Sequence, residues 1–433
     1  GCIPSKTLIR SSRLYAEMRD AQRFGVQPPA DIQIDFAAVM QRMRAVRAHL
    51  SLTRSAQELV DAGVDVFFGL AQFTGPATLN VEGATLRFRK ALIATGARPD
   101  MPSIPGLVAT GCFTNERVFD ITELPQRLLV IGGGPLGCEM AQAFCRFGSR
   151  TTIVQNWPLF LPKEERDAAQ ILSDAFGRDG IEVRLNTEVV GVRVENGQKL
   201  VDLVSDDYHS TITVDAILTG TGRVPNVEGM DLKAAGVNYD RKHGVHVDDF
   251  LRTSNPHIYA AGDVCLRHKF DDTADASARI AVHNALHHGL RFKRQRWSEL
   301  TLSWCTYTDP EVAHVGLYVR QARERNIPVK TFTIMMQDVD RAVIDAEAAG
   351  FVKIHVREGS DQILGATIVA RHAGEMISEI TLAIVAGVGL RALSHVMHPY
   401  PTQADAITKA ANACRRTYRR LTVPERLRHW LQR

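Results

Sequence analysis

The chain has 433 residues, 45% of them hydrophobic and 23% charged, with 52 Lys and Arg against 48 Asp and Glu. That length predicts about two or three domains whose cores need no disulfide or metal staple, and a net charge of +4 carries no electrostatic footprint for nucleic acid. The longest near-uninterrupted apolar run, residues 380–390, is far shorter than the ~20 residues that span a bilayer, so no membrane insertion is expected. Seven cysteines are too few for a secreted disulfide scaffold, and a cytoplasmic location is expected.

In chain order, residues 4–19 predict a helix opened by Pro4 and Ser5, with Leu8, Ile9 and Met18 among its apolar positions. Residues 35–61 predict a second, longer and more charged helix. From 64 to 93 the pattern becomes short strands at 64–68, 77–81 and 90–94, punctuated by Gly69, Gly75 and Gly83. Pro99, Pro102 and Pro105 make a stiff connector. An alternating unit then begins: strand 128–131, helix 138–147, strand 151–154, helix 164–179 and strand 181–185, an order that predicts a parallel sheet. Strands and Gly-rich turns run to about Asp263, followed by a helix near 272–290. From Trp304 onward, strands at 331–334, 351–356 and 363–369 precede helices at 374–387, 390–396 and 402–420, an α+β module. The stretch 406–433 holds Lys409 and seven arginines against Glu425. It reads as a solvated helix face, or as an anchor on an acidic surface with Leu427 and Trp430 on the apolar side.

Gly132-x-Gly134-x-x-Gly137 follows a predicted strand and opens a predicted helix, the context that gives this spacing its meaning. The first glycine permits a tight turn, the second lets the backbone approach a pyrophosphate, and the third lets helix and strand pack closely. At the end of the next strand an acid would bind a ribose 2′-hydroxyl and an arginine a 2′-phosphate. Gln155 and Asn156 are neither, and Lys163 and Arg166 stand further on, so NADH and NADPH both remain open. At the start of the chain, Cys2 immediately precedes a helix start, with Lys6 one turn on. Both features favour the thiolate. Glu139 reads as an acid near a helix N-terminus.

Taken together these motifs resemble the FAD-dependent pyridine nucleotide–disulfide oxidoreductases, the family of glutathione reductase, dihydrolipoamide dehydrogenase and mercuric reductase. Gly1-Cys2-Ile3-Pro4-Ser5-Lys6 matches the second half of the family's C-x-N-x-G-C-x-P-S-K redox motif. Ala94-Thr95-Gly96-Ala97-Arg98-Pro99 matches A-T-G-A-x-P, Gly222-Arg223-Val224-Pro225-Asn226 matches G-R-x-P-N, and Ala261-Gly262-Asp263-Val264 matches A-G-D-V. Thr308-Asp309-Pro310-Glu311-Val312-Ala313 matches the start of the dimerisation domain. The resemblance implies FAD and NAD(P)H as cofactors and a homodimer. It implies an α/β fold with two Rossmann-like FAD and NAD(P) domains plus a C-terminal α+β dimerisation domain. The FAD domain is expected at 1–118 and 231–300, the NAD(P) domain at 119–230 and the dimerisation domain at 301–433. Cys2 corresponds to the flavin-proximal cysteine, and Lys6 and Glu139 to the pair beside flavin and nicotinamide. Asp263 falls to the ribityl and phosphate part of FAD, Gly132, Gly134, Gly137 and Gln155 to the nicotinamide nucleotide, and Lys6, Thr95, Gly96, Gly222 and Gly262 are further cofactor-binding positions.

Three departures from the family pattern stand out. The family's first G-x-G-x-x-G unit and first redox cysteine would precede Gly1, so the chain is expected to be an N-terminal truncation that binds FAD poorly. The C-terminal H-P-T-x-x-E motif reads here as His398-Pro399-Tyr400-Pro401-Thr402-Gln403-Ala404-Asp405, with Tyr400 at the His position and Asp405 at the Glu position. A phenol titrating near ~10 is a poor proton shuttle for a thiol at neutral pH, and mercuric reductases resemble this sequence in carrying Tyr there. His398, two residues away, is the alternative acid. Finally, Cys414 stands alone where mercuric reductases carry a vicinal pair, and no C-x-x-C or other metal-ligand spacing occurs. The expected activity is therefore electron transfer from NAD(P)H, through flavin and a redox-active disulfide, to a metal ion, disulfide or other small oxidant. A dihydrolipoamide dehydrogenase-like disulfide reductase and a non-catalytic redox-sensing flavoprotein are the alternatives.

Overall fold

The computed structural model describes residues 1–52, 55–206, 208–287 and 294–418. The basic stretch singled out above lies outside the described residues from 419 onward. Two compact units form, one from 1–156 with 183–300, the other from 157–182 with 301–433. Among the described residues no helix is long and apolar enough to cross a membrane.

In the first unit the helix Cys2–Arg19 packs on the helices Phe36–Ser51 and Pro135–Arg146. Leu8, Met40 and Met43 are fully buried there, and Phe36 lies 5.8 Å and 5.9 Å (ring centroids) from Phe144 and Phe147. The long helix expected at 35–61 is two helices, because Asp35 caps Phe36–Ser51 and Ser55 caps a separate turn, Ala56–Asp61. Each cap's side chain accepts a backbone N–H of the first turn. The strand expected at 64–68 is not one: the segment has no ladder partner among the described residues, and Val64, Phe67 and Phe68 are exposed. Apolar β-formers make a strand only where a neighbour can take their backbone hydrogen bonds.

The predicted parallel sheet is present, ordered Ala216–Thr219, Arg127–Ile131, Arg150–Val154, Glu182–Arg184. The residues of Arg127–Ile131 beyond Arg127 are all buried, as expected of a central strand covered on both faces. A three-stranded antiparallel meander, Thr187–Glu195, Gln198–Ser205 and Tyr208–Val214, closes over Leu129 and Ile131 with Val189, Val201 and Val214. Two short pairings bring the motif-bearing turns of the sequence together. Ile258–Ala260 runs parallel to Ala91–Ile93, and Arg223–Pro225 runs antiparallel to Ala97–Pro99.

The second unit is built on a five-stranded antiparallel sheet. Its order is Ser303–Thr306, Glu311–Gly316, Ile363–Ala370, Phe351–Arg357, Val329–Met335. The helices Ala373–Val385 and Asp405–Thr417 pack on this sheet, and so does Arg166–Asp179, on Ile363–Ala370. Residues 157–182 are tied here by a buried polar cluster. Glu164 accepts Tyr318 Oη at 2.7 Å and Trp304 Nε1 at 3.3 Å, and Tyr318 stacks on His314 at 3.6 Å. Burial pushes the Glu164 carboxyl up and holds His314 at about 3, neutral with both ring nitrogens hydrogen-bonded.

Candidate functional site

The sequence motifs converge in the first unit. Cys2 is the first residue of its helix, and Lys6 follows one turn later. Lys6 Nζ donates to both oxygens of Glu139, at 2.9 and 3.1 Å. Glu139 lies beyond the first turn of Pro135–Arg146, so helix-end electrostatics does not account for it. Its side chain is buried (residue 3% exposed), and the lysine compensates its charge across two helices distant in sequence.

Pro135–Arg146 opens with Gly134 as N-cap and proline in the first turn, the position where a missing N–H costs nothing. The glycines before it play different parts. A Cβ on Gly137 would sit 2.1 Å from the Gly132 carbonyl oxygen, and one on Gly132 (φ +103°) 2.7 Å from that of Gly220. Gly134 meets nothing nearer than 3.8 Å, so the space beside the helix N-terminus is open to a phosphate. Gln155 is buried, with Oε1 lying against Gly133 and its backbone N–H donated to the Arg184 carbonyl at 3.0 Å. Arg166 is not available for a 2′-phosphate as the sequence allowed: its guanidinium donates to the carbonyls of Phe160, Leu161 and Glu164. Lys163 remains exposed.

The other three motifs interlock. Thr95 and Asn226 exchange hydrogen bonds at 2.9 Å, and Asp100 N–H donates to the Gly222 carbonyl at 3.0 Å. Arg223 donates to the Ala97 carbonyl and pairs with Asp263 at 2.5 Å. Ala261 N–H reaches the Ile93 carbonyl, so the Asp263 turn is stitched to the strand that precedes Thr95 and Gly96. Gly96 (φ +67°) and Gly262 (φ +73°) need the left-handed backbone, and a Cβ added to Gly96 would meet no atom within 4 Å. Burial pushes the Asp263 carboxyl up, against Arg223 and Lys269, which hold it down.

The helix start and Lys6 were expected to favour a Cys2 thiolate. The surroundings act the other way: although the residue is exposed on one side, partial desolvation first, and then the nearby Asp271 carboxylate, push the thiol up to about 11 against the pull of Lys6. Asp271 opens the helix Asp271–Leu286 and has no sequence signature linking it to Cys2. The other cysteines are buried or half-buried.

In the second unit, the altered C-terminal motif forms a loop leading into Asp405–Thr417. Tyr400 is 76% exposed, and its hydroxyl donates to Asp340 at 2.8 Å, which pushes the phenol up. Asp405 instead pairs with Lys409 at 3.4 Å, one helical turn on. His398 Nε2 meets Glu379 at 2.8 Å and Nδ1 meets Thr408 Oγ1 at 2.7 Å. Since a carboxylate only accepts, Nε2 is the nitrogen that donates toward Glu379. Asp340, Glu379 and Thr408 were not legible as partners, since Asp340 stands 60 residues from Tyr400.

Residues 1–289 match the family described as pyridine nucleotide-disulphide oxidoreductase, and residues 302–411 match that family's dimerisation domain. A mercuric reductase from Lysinibacillus sphaericus is 31% identical over 411 residues, covering 95% of this chain and 74% of that protein. A dihydrolipoyl dehydrogenase from Thermus scotoductus is 32% identical over 419 residues, covering 95% and 88%. Among solved structures, the HOCl-induced flavoprotein disulfide reductase RclA from Escherichia coli superposes with a TM-score of 0.83 at 27% identity, covering 95% of this chain and 89% of that one.

Proposed function

The chain belongs to the pyridine nucleotide-disulphide oxidoreductase family, whose members are FAD-dependent enzymes using NAD(P)H, and from that premise we propose that it passes electrons through flavin and a redox-active disulfide that includes Cys2 to a metal ion or other small oxidant rather than to a thiol-releasing disulfide. The observation that carries this reading is the state of the C-terminal loop. Reducing a disulfide substrate requires an acid to protonate the departing thiol, a task worth ~10²- to 10⁴-fold in rate. The loop offers a phenol held protonated by Asp340, and an imidazole whose two nitrogens are both occupied. The relatives named mercuric reductase support a metal-ion acceptor, and the dimerisation domain supports a homodimer.

The residues present fit both cofactors. The open backbone at Gly96, the left-handed Gly262 and the buried Asp263 carboxylate suit a flavin's ribityl and phosphate groups, with Thr95 and Gly222 shaping the turn. Gly132, Gly134 and Gly137 leave a helix N-terminus clear for the pyrophosphate of NAD(P)H. FAD, when bound, supplies the two-electron chemistry. The protein's own contribution is to hold the compensated Lys6–Glu139 charge pair, to present Cys2 at a helix start, and to orient both cofactors by backbone contacts.

The test is NAD(P)H oxidation in the presence of FAD with mercuric ion, a quinone, oxidised glutathione and lipoamide as acceptors. Slow or absent turnover is expected with the two disulfides, and faster turnover with the others. Tyr400→His should raise disulfide reduction at least ~10-fold, short of the ~10²-fold that a fully aligned general acid supplies, with Asp340 at hand to orient the new ring. Fast lipoamide turnover by the unmodified protein would overturn the reading in favour of a dihydrolipoyl dehydrogenase-like activity.

A further inference from the structure

The helix Asp271–Leu286 ends in a pair of histidines that the electron path proposed above does not use. His283 and His287, its C-cap, stand one turn apart on the same face, with ring centroids 4.3 Å apart and ring planes at 26°. We propose that this pair is a binding site for a late first-row divalent transition metal, of the class of nickel, copper or zinc, held by the two imidazoles and water.

A spacing of four on a helix brings two side chains over one patch of surface, the arrangement by which two histidines of one helix chelate a single ion. The state of His287 is a second, independent observation. Its Nδ1 lies 2.9 Å from the His283 carbonyl, which also takes the His287 backbone N–H at 3.0 Å. A carbonyl only accepts, so Nδ1 is the donor, and the neutral ring keeps its lone pair on Nε2. A ring N–H committed to a backbone carbonyl is the outer contact that orients a metal-ligating imidazole. The χ2 torsion of histidine is broad, so a turn of the His283 ring aims its lone pair at the same point. The scaffold beneath is rigid. Asn284 is fully buried and donates to the carbonyls of Phe250 and Gln295 at 3.0 and 2.8 Å, and its own carbonyl accepts Tyr259 Oη at 3.3 Å. The pair closes the C-terminal end of the helix, where the macrodipole favours a cation. The neighbouring cation, Arg279, one turn before His283, is paired with Asp275 at 3.0 Å. Among the described residues no group of three or more His, Cys, Asp or Glu is placed to hold a metal, so the remaining coordination positions fall to water. Ser277 takes the Gly262 N–H at 2.9 Å, and the pair sits 6 and 10 residues further on, roughly 9 and 15 Å along the axis.

The experiment follows carbethoxylation of each histidine by diethyl pyrocarbonate, read on its own peptide by mass spectrometry, in the full chain with NiCl2 added over the micromolar range. Nickel suits imidazole, and a readout resolved by histidine is blind to ions taken by the seven cysteines. The metal should slow modification of His283 and His287 together, with one half-protection concentration, while the exposed His209 and His395 keep their rates. Removing one of two ligands should weaken binding at least ~10-fold, the loss that even an outer contact brings. His287→Ala should therefore raise the half-protection concentration at His283 by at least ~10-fold, and His283→Ala should do the same at His287. Both positions are half-buried and alanine favours a helix, so the variants keep the fold, which circular dichroism checks. Protection at His283 and His287 no greater than at His209 and His395 overturns the proposal. So does protection at either histidine that is unchanged when the other is alanine, which marks a contact through one imidazole alone.

Discussion

The Lys6–Glu139 pair makes an asymmetric demand on stability. The Glu139 side chain is 4% exposed and that of Lys6 34%. Removing the lysine leaves a carboxylate that cannot reach water; removing the carboxylate leaves an ammonium that can, because a lysine's flexible stem carries its charge toward solvent. Breaking a fully buried pair from one side costs about 3–5 kcal/mol. We expect Lys6→Met to fall at the lower end of that range, about 3 kcal/mol. Glu139→Gln keeps a hydrogen-bond acceptor and strands only the partly exposed partner, so screening reduces its cost to about 1 kcal/mol. A unit of this size melts roughly 2–4 °C lower per kcal/mol lost. The assay is thermal unfolding of the two single variants and of Lys6→Met/Glu139→Met, in which an apolar pair replaces the ions and most of the loss should be recovered. Glu139→Gln costing as much as Lys6→Met would show that the carboxylate's burial is not what the pair compensates. A double variant less stable than either single one would refute the reasoning altogether.

The glycine loop makes a paired prediction: Gly137→Ala drives a Cβ to 2.1 Å from a backbone oxygen and should lower the melting temperature by several degrees, whereas Gly134→Ala should leave folding intact and weaken only nicotinamide nucleotide binding, measured by titration. His355, 3.5 Å from Glu165, holds that carboxyl down at about 2. A depressed carboxyl contributes fully above its unfolded value of ~4.3 and loses that contribution as pH falls toward ~2. The stability gap between the unmodified protein and His355→Gln should therefore shrink between about pH 5 and pH 2 in urea titrations; a gap constant across that range would remove the ion pair from the account. Arg166→Ala should destabilise the 160–164 loop without moving the NADPH-to-NADH affinity ratio, because its guanidinium is spent on loop carbonyls. With Gln155 supplying no charge, a ratio above ~10³, about 4 kcal/mol, would contradict the geometry.

Where a property depends on neighbours in the chain, the sequence alone was sufficient. The strand–glycine–helix grammar around 127–146 specifies a parallel sheet and a phosphate-ready helix end because turn, cap and apolar run are contiguous. The structure places them as read, with Pro135 in the first turn. The motifs at 94–99, 222–226 and 261–264 are likewise local turns, recognisable one by one. The same reasoning failed at 64–68, where an apolar pattern had no ladder partner among the described residues, and at 35–61, where Ser55 starts a new helix.

Only the tertiary structure decided the electrostatics, because charge and desolvation act through space and ignore chain order. From the sequence, Lys6 and the helix start predict a Cys2 thiolate; partial burial first, and then Asp271, brought in from 269 residues away along the chain, push the thiol up to about 11. Arg166 looks like a phosphate ligand until its guanidinium is seen bound to three loop carbonyls. Tyr400 looks like a partner of Asp405 because five residues separate them, but Asp405 lies on the helix that follows and turns to Lys409. Asp340, from the segment that follows the strand Val329–Met335, takes the phenol instead.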